Sequence, residues 1–520
     1  MSEIEINDRF KQALDLMEAP GRHVFITGRA GTGKSTLLQY FREHTSRRII
    51  VLAPTGVAAV NVGGQTIHSF FQFKPDITPE KVRRLPAERR DLVRELDAIV
   101  IDEVSMVRAD LMDCIDRSLR KNGRDKKIPF GGIKLILIGD LYQLPPVVLP
   151  HEKDLFRGRY ASPYFFSAEA MIPGLEHSGT QLTLVELEKI YRQKDASFIA
   201  VLNAIRSNEV SQEQLAILNS RLGADFRGED AGFTVTLVPA NAQALEINHR
   251  YLSGLGGRTV SLRAEIEGAF KTSSFPADEE VMLRQGAQVM LLNNDSQGRW
   301  VNGTMGVVTA IERSGLEPLV IVRLENGEEV EVSPNIWDMF DYTWDAEARK
   351  IDAEVAGTFR QYPLKLAWAV TIHKSQGKTF DRVIIDMGRG AFAYGQTYVA
   401  LSRARTLEGI ALKTPIRQAH VFTDWRVVDF MLSFRQPEAS LRLPREEKVR
   451  IIEEAVARGT SLEIEYLSNN GEVSRRRVWP QRVGDQNYKD TSFCGMLARC
   501  ELRQAVRMFR VERILALWSE

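Results

Sequence analysis

The stretch Gly28-Arg29-Ala30-Gly31-Thr32-Gly33-Lys34-Ser35 constrains this chain more than any other. It fits the phosphate-loop pattern G-x-x-x-x-G-K-[ST], and its flanks fit too. Before it, Val24-Phe25-Ile26-Thr27 is an apolar run of strand length; after it, Thr36-Leu37-Leu38-Gln39-Tyr40-Phe41 reads as a helix. A strand, a glycine-rich turn and a helix N-terminus aim backbone N–H groups at an anion. Gly28, Gly31 and Gly33 let that backbone close where a Cβ would collide. Lys34 is expected to reach the β- and γ-phosphates and the Ser35 hydroxyl to hold Mg²⁺, with Thr32 and Thr36 completing the cradle. The expected cofactors are ATP and Mg²⁺, and the expected fold class is α/β.

At 520 residues the chain is long enough for several domains. Its 44% hydrophobic and 26% charged residues are ordinary globular values, and a net charge of +1 means that any polyanion site must be a local basic groove. Three cysteines, Cys114, Cys494 and Cys500, are too few and too scattered for a disulfide framework or a zinc cage and suit a reducing cytoplasm. The opening Met-Ser-Glu-Ile-Glu-Ile-Asn-Asp is acidic and polar, unlike a secretory signal, and no apolar run reaches bilayer length. These features lead us to expect a cytoplasmic chain with no membrane partner.

Up to about residue 140, apolar strand candidates at 23–27, 48–53, 97–102 and 133–138 alternate with helical segments, as in a parallel sheet with crossover helices. Each candidate ends in a polar turn, where ligands sit on open α/β sheets. Phe73 to Arg90, with its prolines and charges, breaks the rhythm as a small excursion. A second alternating block starts near Leu182 and ends near Phe434, interrupted from about 286 to 360 by short β-type runs that read as a small barrel. Gln436-Pro437 and Leu443-Pro444-Arg445 frame a linker, and the last 75 or so residues read as a helix followed by strands.

Chemistry gathers at the strand ends. Ala98-Ile99-Val100-Ile101-Asp102-Glu103 ends in two carboxylates; Asp102 is expected in the Mg²⁺ shell, and Glu103 is expected to polarise the attacking water. Gln143, in Gly139-Asp140-Leu141-Tyr142-Gln143-Leu144-Pro145-Pro146, can bond a γ-phosphate oxygen or the lytic water. Arg192 in Tyr191-Arg192-Gln193 and Arg403 in Tyr398-Val399-Ala400-Leu401-Ser402-Arg403-Ala404-Arg405 are the cations expected against transition-state charge. If they come from a second domain, hydrolysis couples to closure of the cleft.

Taken in order, the segments 28–35, 52–71, 101–106, 139–147, 191–193, 369–383 and 398–405 resemble the superfamily 1 helicases that move 5′ to 3′. Within that superfamily the chain is most similar to the PIF-type (petite integration frequency) DNA helicases. The discriminating stretch is Asp110 to Gly132, with Ile115-Asp116-Arg117-Ser118-Leu119-Arg120 and Pro129-Phe130-Gly131-Gly132, which the related RecD-type enzymes lack. The resemblance implies two RecA-like P-loop domains with nucleotide in the cleft and a single strand across their tops. It also implies a first domain over 1–185 with a small wedge insert at about 70–92, a second over 186–285 and 361–435, an SH3-like insert over 286–360 and a linker over 436–445. It gives Lys34, Ser35, Asp102, Glu103, Gln143, Arg192 and Arg403 the same roles, and brings Gly377 to the γ-phosphate. It further implies single-stranded and forked DNA as partners, forks, R-loops or G-quadruplexes as substrates, a monomer and, in a bacterium, association with the nucleoid. The family's adenine-reading glutamine has only Gln12 as a candidate here, in Asp8-Arg9-Phe10-Lys11-Gln12-Ala13, and the usual leading pattern is absent.

Tracking a strand needs N–H and hydroxyl donors for phosphates and flat groups for bases. Pro54, Thr55, Thr66, His68, Asn241, Thr371, His373 and Lys374 lie in elements that the family places along the strand. For His68 and His373 the alternative to strand contact is a capping or structural histidine of an α/β turn. Trp300 beside Asn302-Gly303 suits either stacking on a base or a hairpin turn.

Residues 446–520 resemble a WYL domain, an Sm/SH3-like β unit, through the lead helix, Leu462-Glu463-Ile464-Glu465-Tyr466, Arg477-Val478-Trp479-Pro480 and Arg507-Met508-Phe509-Arg510-Val511-Glu512-Arg513-Ile514. The naming Trp-Tyr-Leu tripeptide is missing, and Phe493-Cys494-Gly495-Met496-Leu497 stands in its place. Strand register puts Arg507 and Arg513 on the face of Phe509 and Val511, with Arg510 opposite. Such a basic face suits a nucleotide or a single-stranded nucleic acid, or is an ion-paired barrel surface. Two rival functions remain: a RecD-like translocase subunit, and a ligand-sensing, DNA-binding ATPase switch that does not unwind.

Overall fold

A computed structural model describes residues 6–519 apart from 75, 149–151, 153–155, 157, 173–181, 194, 227–231, 269, 271, 273–274, 315–316, 346–349, 389, 435–444, 468–472, 489–490 and 503–504. The expected linker at 436–445 lies, but for Arg445, outside the described residues. The chain divides into two compact units, Met1–Leu202 with Val210–Phe422, and Asn203–Glu209 with Thr423–Glu520.

In the first unit, β1 (His23–Gly28), β2 (Ile49–Ala53), β3 (Gln65–Thr66), β4 (Ala98–Ile101), β5 (Lys134–Ile138) and β6 (Leu182–Leu187) form one parallel sheet, ordered β3-β2-β4-β5-β1-β6. Ile-, Val- and Leu-rich runs buried on both faces suit the inside of a parallel sheet, and β4 and β5 are buried at every position. Helices α1 (Asp8–Glu18) and α2 (Lys34–His44) cover β1, with Phe10, Met17, Leu37 and Phe41 in one core with Val24 and Ile26. The phosphate loop follows β1, Pro54-Thr55 follows β2, Asp102-Glu103 follows β4 and Gly139–Gln143 follows β5, so four functional stretches lie along one edge of the sheet.

The discriminating stretch has a packing role. Its helix Ala109–Asn122 has buried Asp116 accepting from Phe130 N at 2.6 Å and pairing with Arg120 at 2.7 Å. Gly131 sits where a Cβ would lie 2.4 Å from Leu119 O, so only glycine lets the chain return this closely over the helix end.

A second parallel sheet orders Ala369–Thr371, Thr234–Val238, Arg382–Ile385 and Ile410–Leu412. The β-rich stretch between about 286 and 360 holds two assemblies. A five-stranded antiparallel sheet runs from Glu329–Val332 through Glu317–Leu324, Met305–Ser314 and Gln288–Leu291 to Leu364–Leu366. A separate ribbon pairs Asn335–Asp345 with Lys350–Gln361 and then Glu265–Gly268. The ribbon touches both the excursion, where Arg89 donates to Tyr342 O at 2.7 Å, and β3, where Gln65 donates to Phe340 O.

The second unit carries helix Trp425–Ser433, helix Arg445–Arg458 and a five-stranded antiparallel sheet whose core includes Ile452, Ile464, Met496, Phe509 and Ile514. Here one sequence expectation fails. The strand Ala505–Arg510 gives way to a 3₁₀ turn, Val511–Arg513, before Ile514–Ser519. A three-residue turn replaces the two-residue alternation, so Arg510 and Arg513 come to the same side instead of opposite faces. Both meet the Asp429 carboxylate at 2.9 Å. No helix among the described residues is long and apolar enough to cross a membrane.

Candidate active site

A cavity of about 930 Å³ opens over the phosphate loop. Gly31, Thr32, Gly33, Lys34, Ser35 and Thr36 line one side, and Glu103, Gln143, Arg192, Gly377 and Arg403 are among its other walls. Gly33 caps α2 at φ +87°, and its neighbour Gly31 has φ +81°. At Gly31 a Cβ would stand 2.5 Å from Arg192 Cβ, so the loop and the Tyr191-Arg192 stretch meet only because the side chain is missing. Gly395 does the same from the other side, where a Cβ would lie 2.5 Å from Gln143 O.

The lysine and arginines rest on backbone oxygens. Lys34 Nζ donates to Gly28 O at 2.7 Å and Arg29 O at 3.0 Å. Arg192 donates to Ser402 O and Gly377 O, each at 3.3 Å. Arg403, only 1% exposed, donates to Val399 O at 2.9 Å, Lys378 O at 3.1 Å, Ser375 O at 3.3 Å and Ser402 Oγ at 2.8 Å. Burial, helped by the charge of Arg192, pulls the Arg403 guanidinium down to about 9. Burial also lowers Arg192. Two desolvated cations held by neutral acceptors favour an arriving polyanion.

The carboxylates show the converse. Burial, then the charge of Asp102, pushes Glu103 up to about 7 against the pull of Lys34 and Arg403. Asp102, just past β4, is also raised by burial. Glu103 takes a left-handed conformation, φ +49°, which costs about 1–3 kcal/mol in a non-glycine residue and marks a position held by its surroundings. Gln143 is clamped from both sides, donating to Asp140 Oδ2 at 3.2 Å and accepting from Gln376 Nε2 at 3.1 Å.

Other residues meet the cavity without having been singled out. Tyr398 OH accepts from Ala30 N at 3.1 Å. Phe10, Tyr191, Thr379, Arg405 and Thr406 also line the walls. Tyr191 and Tyr398 flank motif arginines, and that adjacency was their available signal; Gln376 became visible only through tertiary contact. Gln12 is exposed, accepts from Arg9 at 3.0 Å, and is not among the lining residues. Its helical neighbour two positions back, Phe10, faces the cavity instead.

On the candidate strand side, Thr55 and Thr66 cap helices Gly56–Asn61 and Ile67–Phe70, accepting from Ala58 N and Ser69 N. Thr371 Oγ1 accepts from Lys374 N at 3.2 Å. Each cap uses an oxygen lone pair and leaves the O–H as a donor. Lys374 and Asn241 are exposed, Pro54 and His68 half-buried. His373 is half-buried and lowered by burial, so it stays neutral at pH 7. Trp300 is 6% exposed in the barrel core and donates to Asn293 Oδ1 at 3.0 Å, which takes it out of base stacking.

Family models match as PIF1-like helicase over residues 5–215, UvrD-like helicase C-terminal domain over 366–408, and WYL domain over 447–517. The ATP-dependent DNA helicase Pif1 of Bdellovibrio bacteriovorus is 33% identical over 79% of this chain and 88% of its own. Human PIF1 is 34% identical over 82% of this chain, which spans 64% of the human protein. A Bacteroides Pif1 crystal structure in complex with ADP-AlF4 aligns with a TM-score of 0.75 at 35% identity, over 83% of this chain and 98% of that one. The Bacteroides Pif1 structure bound to ssDNA aligns over the same shares and at the same identity with a TM-score of 0.61. With its ordered motifs folded around one nucleotide-sized cavity, the chain belongs to the PIF1-like helicase family.

Proposed function

We propose that this ATP-dependent DNA helicase moves 5′ to 3′ on single-stranded DNA, closing its two α/β domains on ATP and reopening them after hydrolysis. The observation that supports this most is that Arg403, which lies between two strands of the second sheet, and Arg192, bonded to Ser402 O and Gly377 O, line the same cavity as the phosphate loop. Closure can then deliver both cations to the γ-phosphate. Lys34 exchanges the carbonyls of Gly28 and Arg29 for phosphate oxygens. Glu103 takes the proton of the attacking water, and Gln143 orients that water and passes its presence to Gln376. Asp102 and the Ser35 hydroxyl suit Mg²⁺: they are hard oxygen donors, few in number, as an ion that keeps water and phosphate ligands requires. Among the described residues no cluster of three or more His, Cys, Asp or Glu side chains is placed to hold a metal on protein ligands. When bound, the ion neutralises phosphate charge.

The strand runs past Pro54, Thr55, Thr66, His68, Asn241, Thr371, His373 and Lys374, with hydroxyl, N–H and ammonium donors for its phosphates. The excursion after Phe70 is the wedge that splits the duplex. The WYL domain binds a nucleotide or a single strand. The chain acts as a monomer on forked DNA in the cytoplasm, where its buried thiols Cys114, Cys494 and Cys500 stay reduced. ATP-driven displacement of streptavidin from end-biotinylated oligonucleotides tests the polarity. Release from the 3′ end alone is expected, and release from the 5′ end alone would reverse the assigned direction.

A further inference from the structure

The nucleotide cavity has two ends. Glu103 and Gln143, which follow β4 and β5, stand at one of them with Arg403, where the γ-phosphate belongs. The sheet order carries the cavity from there past β1 and its phosphate loop to Tyr191, which follows β6. Tyr191, Phe10 of α1 and Thr36 of α2 are the walls at this far end, and α1 packs on β6. A triphosphate laid with its terminal group toward Glu103 and Gln143 brings its base here.

The polar groups around this end are turned to one another. Asn7 Oδ1 accepts from Phe10 N at 2.9 Å as the N-cap of α1, and its Nδ2 donates to Tyr191 OH at 3.2 Å. Arg9 donates to Gln12 Oε1 and to Glu188 Oε1, each at 3.0 Å. None of Asn7, Arg9, Gln12 and Glu188 is among the cavity walls. Arg405, a charged wall, belongs to the Phe380–Ala404 bridge beside Arg403 and pairs with Asp381 at 3.0 Å. Phe10 is buried, its ring set edge-on to Tyr40 at 6.1 Å, so it offers a fixed apolar surface. Tyr191 is 43% exposed, and its ring lies beside Gly33, where a Cβ would stand 3.8 Å from Cε2. A base lying flat on that ring meets carbon, because the hydroxyl lies in the ring plane. Every base has a π-face, so stacking tolerates any of them. Strong discrimination needs buried hydrogen-bonding groups that the wrong ligand leaves unpaired, and an apolar wall rejects little.

We propose that the base end of this cavity is unselective, and that the chain binds purine and pyrimidine nucleoside triphosphates alike, each hydrolysed by water to its diphosphate and phosphate. Tyr191 supplies the stacking plane, and Phe10 is the apolar wall that withholds hydrogen bonds from the base edge. Affinity then comes from the phosphates, which the loop and its cations grip and which all these substrates share. The proposal rests on the reading of this chain as a helicase driven by nucleotide hydrolysis.

The test is displacement of fluorescent N-methylanthraniloyl-ADP from the full chain by ADP, GDP, CDP and UDP, beside kcat/KM for the four triphosphates with oligothymidine present. Affinities and kcat/KM values within about tenfold of one another are expected, and a wider spread would overturn the proposal. Tyr191→Ala should weaken all four diphosphates by about tenfold through loss of the stacking plane. No loss, or a loss confined to one base, would overturn the role of Tyr191. Phe10→Gln sets an amide that both donates and accepts beside the base, as the edge of adenine requires, and should favour ADP over CDP by about tenfold. A folded Phe10→Gln chain that stays indifferent would overturn the role of Phe10, and the wild-type ratios carry the test if that variant does not fold. A wild type that hydrolyses ATP alone would overturn the proposal while leaving the helicase reading intact. A wild type that hydrolyses no triphosphate on DNA would remove that reading itself.

Discussion

Two arginine sites in this molecule are built in opposite ways. Arg403 lies over the phosphate loop among neutral acceptors, three backbone carbonyls and a serine hydroxyl. Arg510, in the terminal unit, is sandwiched between Trp425 at 4.5 Å and Phe493 at 4.4 Å and paired with Asp429 at 2.9 Å. The first guanidinium keeps its charge available to a ligand. The second directs its charge to a carboxylate of its own unit, and its planar faces are covered by rings. Burial alone therefore does not distinguish an arginine poised over a phosphate loop from one paired within its own unit; the charge of its partners does.

The contrast can be broken most strongly at Arg403. Arg403→Ala should lower single-turnover ATP hydrolysis about 10³-fold or more, and Arg403→Lys should rescue little, since a point charge does not replace the fork. If lysine restored most of the rate, the geometry assigned to the guanidinium would be wrong. Next comes pH. Glu103 sits near 7 because of burial and Asp102, so below that value it is protonated and cannot act as a base. kcat/KM for ATP should rise about tenfold per pH unit below 7 and level off above it, reporting the free enzyme. Glu103→Gln should lower the whole profile and remove this limb.

A smaller effect is expected at Gln376→Ala, which removes the bond to Gln143 and should slow DNA-stimulated hydrolysis about fivefold, read as a change in kcat. Smallest on hydrolysis is Asp429→Asn. It should instead destabilise the terminal unit by about 1–2 kcal/mol, discounted because Asp429 is 39% exposed, and lower the melting temperature of that unit. A larger effect on hydrolysis than on melting would erase the distinction drawn between the two arginines.

These regions also differ in how far the sequence reveals them. The phosphate loop, Asp102-Glu103 and Gln143 were legible because each follows its own buried strand, so local order fixes their place on one sheet edge. Arg192 and Arg403 were legible through their neighbours. Arg510 and Arg513 were misplaced because a 3₁₀ turn interrupts strand alternation, and no residue type in Val511–Arg513 announces it. Trp300 was ambiguous because a tryptophan near an Asn-Gly turn suits a base or a core equally, and barrel packing decided it. Gln12 had the right chemistry but the wrong helical face. The Asn7–Tyr191 bond joins residues far apart in sequence, and only the fold brings them together.

The most direct measurement is ATP-driven unwinding of a duplex with either a 5′ or a 3′ single-stranded tail, with Glu103→Gln alongside. Unwinding of the 5′-tailed substrate only, abolished in Glu103→Gln, is the expected result. Unwinding of neither substrate, despite DNA-stimulated hydrolysis, would contradict the account and leave a translocase or a switch.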